Sequence, residues 1–143
     1  MVCVREATEG LYSGMEYRLS PDVAIAFRKI TREPSQKLIR TAFEEAKRRG
    51  WNHTFAITKQ NILKETDGLF MEVANAVHED YPEIAMDEYF IDNFSQQLIK
   101  NPQRFNQSVV FGTNLFMDII SEEASALVAS IGCNYSANFG DDY

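Results

Sequence analysis

Between residues 53 and 112 three short apolar runs, "HTFAIT", "DEYFID" and "SVVFG", alternate with stretches whose apolar residues recur at helical spacing. Runs of this length rich in β-branched and aromatic residues suit strands, whereas the intervening stretches suit helices. Strands joined through helical crossovers are constrained to lie parallel, because only a tight hairpin reverses direction without a crossover. "VCVRE" supplies a further strand before the series, and a helical run opens at Asn114 after it. The order β–α–β–α–β–α–β–α predicts an α/β domain: a mixed, partly parallel sheet with flanking helices.

The helical stretches carry their own punctuation. In "TREPSQKLIRTAFEEAKRRG", Leu38, Ile39, Ala42, Phe43 and Ala46 share one face, with Ser35 expected as the cap and Gly50 as the stop. Leu69, Phe70, Val73, Ala74 and Val77 line a second helix that ends before Pro82, and Pro102 halts a short third one in "NFSQQLIKNP". Residues 15–31 read as extended, with Val23, Ile25 and Phe27 alternating. Such an arm is expected to need a partner chain against which to pair.

Composition closes off several functions. The net charge of −7 argues against nucleic acid, which demands a concentrated basic surface. The basic cluster in "EEAKRRG" follows acids at a helix end, where dipole compensation accounts for it. No run approaches the roughly 20 consecutive apolar residues of a membrane helix, and "MVCVREATEG" places charges where a secretory signal is apolar. A soluble protein of the cytoplasm or mitochondrial matrix is expected. Cys3 and Cys133 have no metal-site spacing and are expected to stay reduced, and His53 and His78 are expected at the surface or in packing roles.

Asp118 and Glu122 pose the sharpest question, because they sit four apart in the otherwise apolar "NLFMDIISEE". Positions i and i+4 share a helix face, where two acids repel unless a cation lies between them. Hard oxygen donors suit Mg²⁺ or Mn²⁺. A solvated helix edge is the more common fate of such a pair, and Glu123 extends that acidic surface. Lys59 follows a strand directly, where a partly desolvated amine can act as a base, although a surface lysine is the commoner case. Asp92 ends a strand as a further carboxylate or a helix cap. Arg5 closes a strand and could grip a carboxylate in its fork, and Tyr12 lies in a turn as a candidate proton donor. Together these residues fit a site for an anionic, metal-chelated substrate. G-x-G-x-x-G, P-loop, H-E-x-x-H and G-x-S-x-G patterns are all missing.

At these residues the chain resembles the isocitrate/3-isopropylmalate dehydrogenases, the metal-dependent β-decarboxylating family. "VREATEGLYSGMEYR" is similar to the family's R-E-N-T-E-G-x-Y-S-G segment, and "KQNILKETDGLF" to K-x-N-I-M-K-x-T-D-G-L-F. "IDNFSQQLIKNPQRF", "NLFMDIISEEASALVASIG" and "SANFGDD" follow in family order along essentially the whole chain. The resemblance implies that Arg5 binds a substrate carboxylate, Tyr12 donates a proton, Lys59 is the acid/base lysine and Asn61 lies near the nicotinamide. Asp92, Asp118 and Glu122 would be the metal carboxylates, for Mg²⁺ or Mn²⁺, with NAD or NADP as coenzyme. Lysine and first aspartate reach in from the neighbouring subunit in this family, which implies a homodimer with shared active sites and a dimerisation arm.

The implied reaction is oxidative decarboxylation of a 2-hydroxy-3-carboxy acid, with isocitrate ahead of 3-isopropylmalate or homoisocitrate. A non-catalytic subunit or a truncated dimerising domain is the alternative of another class. Departures from the pattern bear on that choice: Glu122 stands where an aspartate is usual, Met117 where a glycine is usual, and Ala7 where an asparagine is usual. Met117 is expected to crowd the site. Residues 1–143 are expected to be the central part of a longer protein, incomplete at both ends, with substrate-reading residues before Met1 and the coenzyme loop after Tyr143.

Overall fold

A computed structural model describes residues 1–128 and 136–137. In chain order the elements are β1 (Val2–Arg5), a 3-10 turn (Leu11–Ser13), β2 (Glu16–Ser20), β3 (Val23–Ala26), α1 (Arg32–Arg48), β4 (His53–Thr58), α2 (Thr66–His78), β5 (Ala85–Phe90), α3 (Ile91–Lys100), a second 3-10 turn (Pro102–Phe105), β6 (Val109–Gly112) and α4 (Asn114–Leu127). Four strands form one sheet in the order β1-β6-β4-β5, and every pairing within it is parallel. The antiparallel part of the fold is a separate hairpin of β2 and β3.

Alternate residues of the sheet serve opposite cores. Val109, Phe111 and Ala56 pack with Leu38, Ile39, Phe43, Phe70 and Val77 of α1 and α2. Phe55, Ile57 and Val110 pack on the other face with Phe94 and Leu98 of α3 and Met117 and Ile120 of α4. Two-sided burial explains why these strands read as nearly continuous apolar runs rather than strict alternations. The connections after β1 and β4 lead to one face, and those after β5 and β6 to the other. Since the spatial order is β1-β6-β4-β5, every neighbouring pair of strands sends its chain to opposite faces at the carboxyl edge. Crevices at that edge are where open α/β sheets place their ligands.

Several boundaries differ from expectation. Helix α1 begins at Arg32, ahead of Ser35, so Ser35 is no cap. Its hydroxyl donates to the Thr31 carbonyl at 2.7 Å from inside the first turn. The start is fixed instead by Glu9, whose carboxylate accepts the Thr31 N–H at 2.7 Å and the Thr31 hydroxyl at 2.9 Å. A carboxylate there also faces the positive end of the helix dipole. Pro34 is tolerated because first-turn N–H groups have no helical partner. At the other end Gly50, at φ 69°, and Trp51 close the helix by donating to Lys47 and Ala46 carbonyls.

Strand β5 runs over residues 85–90, not 87–92, because it matches β4 residue for residue from His53↔Ala85 to Thr58↔Phe90. Asp92 therefore lies in the first turn of α3 rather than on a strand. The arm over 15–31 is not one extended run but the β2–β3 hairpin, with a register shift between Arg18 and Ser20. Tyr17, Leu19, Val23 and Phe27 on it are 47–63% exposed, an apolar surface that none of the described residues covers. Glu123 does not extend an acidic surface, since it accepts a hydrogen bond from Ser95 at 2.6 Å and ties α4 to α3.

His53 bonds Asp87 and stacks on Phe55, while His78 bonds the Ile84 carbonyl and stacks on Phe43. Cys3 is a free thiol whose pKa burial pushes up to about 11. Cys133 lies outside the described residues, as does most of "SANFGDD". Among the described residues no helix is long and apolar enough to cross a membrane.

Gly112 ends β6 where an added Cβ would stand 3.0 Å from the Ile57 carbonyl oxygen and 3.2 Å from Met117 Cγ. Gly112→Ala is expected to destabilise the fold by about 1–3 kcal/mol through overpacking. Chemical denaturation of the variant beside the parent protein measures this directly.

Candidate functional site

Two clusters of the expected residues emerge at the carboxyl edge of the sheet. The first is built on β1, the 3-10 turn and α4. Arg5 is the last residue of β1, in register with Gly112. Its Nε donates to Asn114 Oδ1 at 2.9 Å, and its NH1 group donates to Asp118 in a close ion pair. Asn114 and Asp118 are one helical turn apart on α4, so the guanidinium lies along that face and is held at two points. The Tyr12 hydroxyl donates to the other Asp118 oxygen at 2.6 Å, and Arg5 lies 5.2 Å from the Tyr12 ring centroid.

Placement of Asp118 follows from the pitch of the helix. Met117 is fully buried in the core against Gly112, and one residue further the side chain has turned outward to the site. Met117 thus does not crowd the carboxylates, contrary to expectation. Glu122 is exposed one turn beyond Asp118.

The second cluster spans the ends of β4 and β5. Lys59 directly follows β4, and its Nζ pairs with Asp92 Oδ1 at 2.6 Å. The side chain is 25% exposed and its ammonium passes 5.8 Å from the Phe90 ring centroid. The Lys59 backbone N–H donates to Asp67 Oδ2 at 2.6 Å. Asn61 is exposed in the turn that follows. Strand β6 separates β1 from β4, so the Arg5 and Lys59 clusters share an edge while holding separate partners.

Both aspartates are held ionised. The Tyr12 hydrogen bond, and after it Arg5, hold the Asp118 carboxyl below its ordinary value, and the Lys59 hydrogen bond does the same for Asp92. Backbone N–H groups at the start of α3 add to the effect on Asp92. Donation to Asp118 pushes the Tyr12 phenol up, so it keeps its proton across neutral pH. These exposed, ionised oxygens are the donor type that Mg²⁺ or Mn²⁺ prefers. Among the described residues, however, no three acidic, histidine or cysteine side chains converge closely enough to hold an ion. One chain offers Asp118 and Glu122 in one place and Asp92 in another.

Three contributors were not singled out in the sequence. Asn114 orients Arg5. Asp67, fully buried, anchors the Lys59 amide and pairs with Arg28 at 2.7 Å. The available signal for Asp67 was its place in a helix whose other inward positions are apolar. The available signal for Arg28 was a charge directly after the apolar run "VAIAF".

A group whose folded pKa lies below its unfolded one stabilises above the unfolded value, and that contribution is lost as pH falls through the folded value. Asp118 and Asp92 therefore support their clusters at neutral pH and release them in acid. Replacing Asp118 with Asn should bring the Tyr12 phenol back down toward about 10. Titration of ring-labelled tyrosine by NMR checks this, and an unchanged Tyr12 would show that Asp118 is not the cause.

Comparison with known proteins matches this chain to one family. The sequence profile of the "Isocitrate/isopropylmalate dehydrogenase" family matches residues 1–143. Homoisocitrate dehydrogenase of Methanocaldococcus jannaschii is 47% identical over 142 residues, covering 99% of this chain and 40% of that protein. 3-Isopropylmalate dehydrogenase of Archaeoglobus fulgidus is 45% identical, covering 99% and 42%. The crystal structure of isocitrate dehydrogenase from Methylococcus capsulatus superposes with a TM-score of 0.85 at 40% identity, over 91% of this chain and 39% of that one. The chain thus spans about two fifths of the length of the curated relatives it matches. Its sequence and fold alike place it in the isocitrate/isopropylmalate dehydrogenase family.

Proposed function

We propose that these residues form two halves of the active site of an NAD(P)-dependent β-decarboxylating dehydrogenase, completed between two copies of the chain. One observation carries the reading: Arg5, Tyr12 and Asp118 form one ionised cluster, and Lys59 with Asp92 forms another at the same sheet edge. An adjacent copy presenting its Lys59–Asp92 half to the Arg5–Tyr12–Asp118 half, with Glu122 one turn further along α4, would bring three carboxylates together. The uncovered apolar hairpin supports such a dimer, since an isolated two-stranded hairpin is marginal in water. On this reading residues 1–143 are the central part of the family fold.

The chemistry of each group suits the task. Arg5 binds a carboxylate of a 2-hydroxy-3-carboxy acid and, held by Asn114, presents its fork in a fixed plane. Asp118 and Glu122 of one chain, with Asp92 of the other, are hard donors for Mg²⁺ or Mn²⁺. That ion would act as a Lewis acid toward the 2-hydroxyl and its neighbouring carboxylate. In its neutral amine form Lys59 would take the proton leaving the 2-hydroxyl, and a nicotinamide held near Asn61 would supply the hydride acceptor. Loss of CO₂ from the 3-carboxylate leaves an enolate, and Tyr12, which retains its proton at neutral pH, supplies it to carbon. Isocitrate is the substrate we place first, ahead of homoisocitrate and 3-isopropylmalate.

A mixing experiment tests the shared site. In the intact protein Arg5→Met and Lys59→Met should each lower turnover of the 2-hydroxy acid by at least about a hundredfold, as loss of a charge-binding or proton-transferring group does. Refolding the two variants together should restore about a quarter of parental activity, because half of the closed dimers are mixed and each has one intact site. No restoration would show that both clusters serve one chain. A non-catalytic subunit would show no turnover in the parent.

A further inference from the structure

Arg28 leaves the root of the hairpin, two residues past β3, and reaches back over the carboxyl edge of the sheet with its side chain only 11% exposed. Its guanidinium meets two helices at once, α2 and α4. One nitrogen donates to the Thr66 hydroxyl at the start of α2 in a short hydrogen bond. The other donates to the Thr113 hydroxyl at 2.9 Å and pairs with Asp67 at 2.7 Å. Its Cζ also lies over the ring of Phe116 of α4, 5.3 Å from the centroid.

The partners on either side lead to different halves of the site. Asp67 accepts the Lys59 N–H, so Arg28 and Lys59 share one buried carboxylate. Thr113 is the N-cap of α4, and its side chain makes no capping bond to that helix because it is turned to Arg28. Asn114 and Asp118, which hold Arg5, follow directly on that helix. A planar fork with several fixed donors can span these sites together, whereas the single ammonium of lysine cannot. Burial makes the arrangement strict, because Asp67 has no other cation in contact with it among the described residues.

We infer that Arg28 is a positioning residue that holds the Lys59 half and the Arg5–Asp118 half in fixed relation to the hairpin root. The catalytic consequence rests on the proposed dehydrogenase reading, while the structural one does not. If the hairpin pairs with a second copy, the same guanidinium links the dimer contact to both halves of the site.

Arg28→Lys in the intact protein is the decisive variant, since it retains the charge that Asp67 needs and removes only the fork. Hydrogen exchange is read at the Lys59 amide and at amides 117 and 118, with turnover measured alongside. Exchange should quicken several-fold at both places, on the order expected for loss of a local tether, with the unfolding midpoint nearly unchanged. kcat should fall by about tenfold and KM much less, because misplaced groups cost most in the transition state. Thr113→Val should quicken exchange at amides 117 and 118 alone. Exchange unchanged at either place in Arg28→Lys would overturn the inference, as would quickening at Lys59 in Thr113→Val. A parent protein that oxidises no 2-hydroxy acid while Arg28→Lys quickens both places would sink the dehydrogenase reading and leave the tether standing.

Discussion

Four parallel strands must have both faces covered, and the way this chain covers them decides where its polar residues can go. Helices α1 and α2 bury one face and α3 and α4 the other, with Phe55, Ile57 and Val110 pointing one way and Ala56, Val109 and Phe111 the opposite way. A strand buried on both sides has no solvated position for a charged residue along its length. On the inner strands charges therefore collect where strands end, while the edge strand β5 keeps Asp87 and Glu88 exposed along its length. Arg5, Lys59 and Asp92 all lie at or just past a carboxyl end, and Asp118 projects from the helix that follows the central β6.

Separation of the site into two clusters has the same origin. Arg5 and Lys59 issue from strands with β6 between them, and each finds its own aspartate. Each pair is charge-balanced and partly open to water, which keeps the carboxylates ionised without the cost of a fully buried charge. The deeper polar groups are tied differently. Glu9 is buried at the start of α1, where it accepts from the Thr31 N–H and hydroxyl, and Asp67 is buried beneath the Lys59 turn, where it accepts the Lys59 N–H and pairs with Arg28. These buried carboxylates close the neck of the hairpin and fix the turn after β4. They are the joints of the molecule, while Asp92 and Asp118 stay open to solvent.

A chain of the isocitrate/isopropylmalate dehydrogenase family here carries an open apolar hairpin and two charged clusters at one sheet edge. Departures from the pattern take on different weight once placed. Met117 is absorbed into the core beside Gly112, so the larger side chain is accommodated away from the carboxylates. Glu122 remains exposed, with an extra methylene that lengthens its reach from the helix.

Much of the fold was legible because hydrophobic period and helix stops are local properties. The helices ending at Gly50 and before Pro82 and the strand "HTFAIT" appear where their patterns put them. Motif order along the chain also pointed to Arg5, Tyr12, Lys59 and Asp118 as residues to watch. What escaped was decided by contacts between distant residues. Glu9 moves the start of α1 ahead of Ser35, and pairing with β4 sets the limits of β5 and hands Asp92 to a helix. The bridging role of Arg28 exists only because the hairpin root, α2 and α4 meet in space, between residues 38 and 85 positions apart in the chain. By itself the sequence determined which segments become strands or helices and which residue types could do chemistry, since period and side-chain chemistry are carried residue by residue. Tertiary structure alone decided which charges pair, which are buried and which remain free to work, because those outcomes depend on the distances and desolvation that packing imposes.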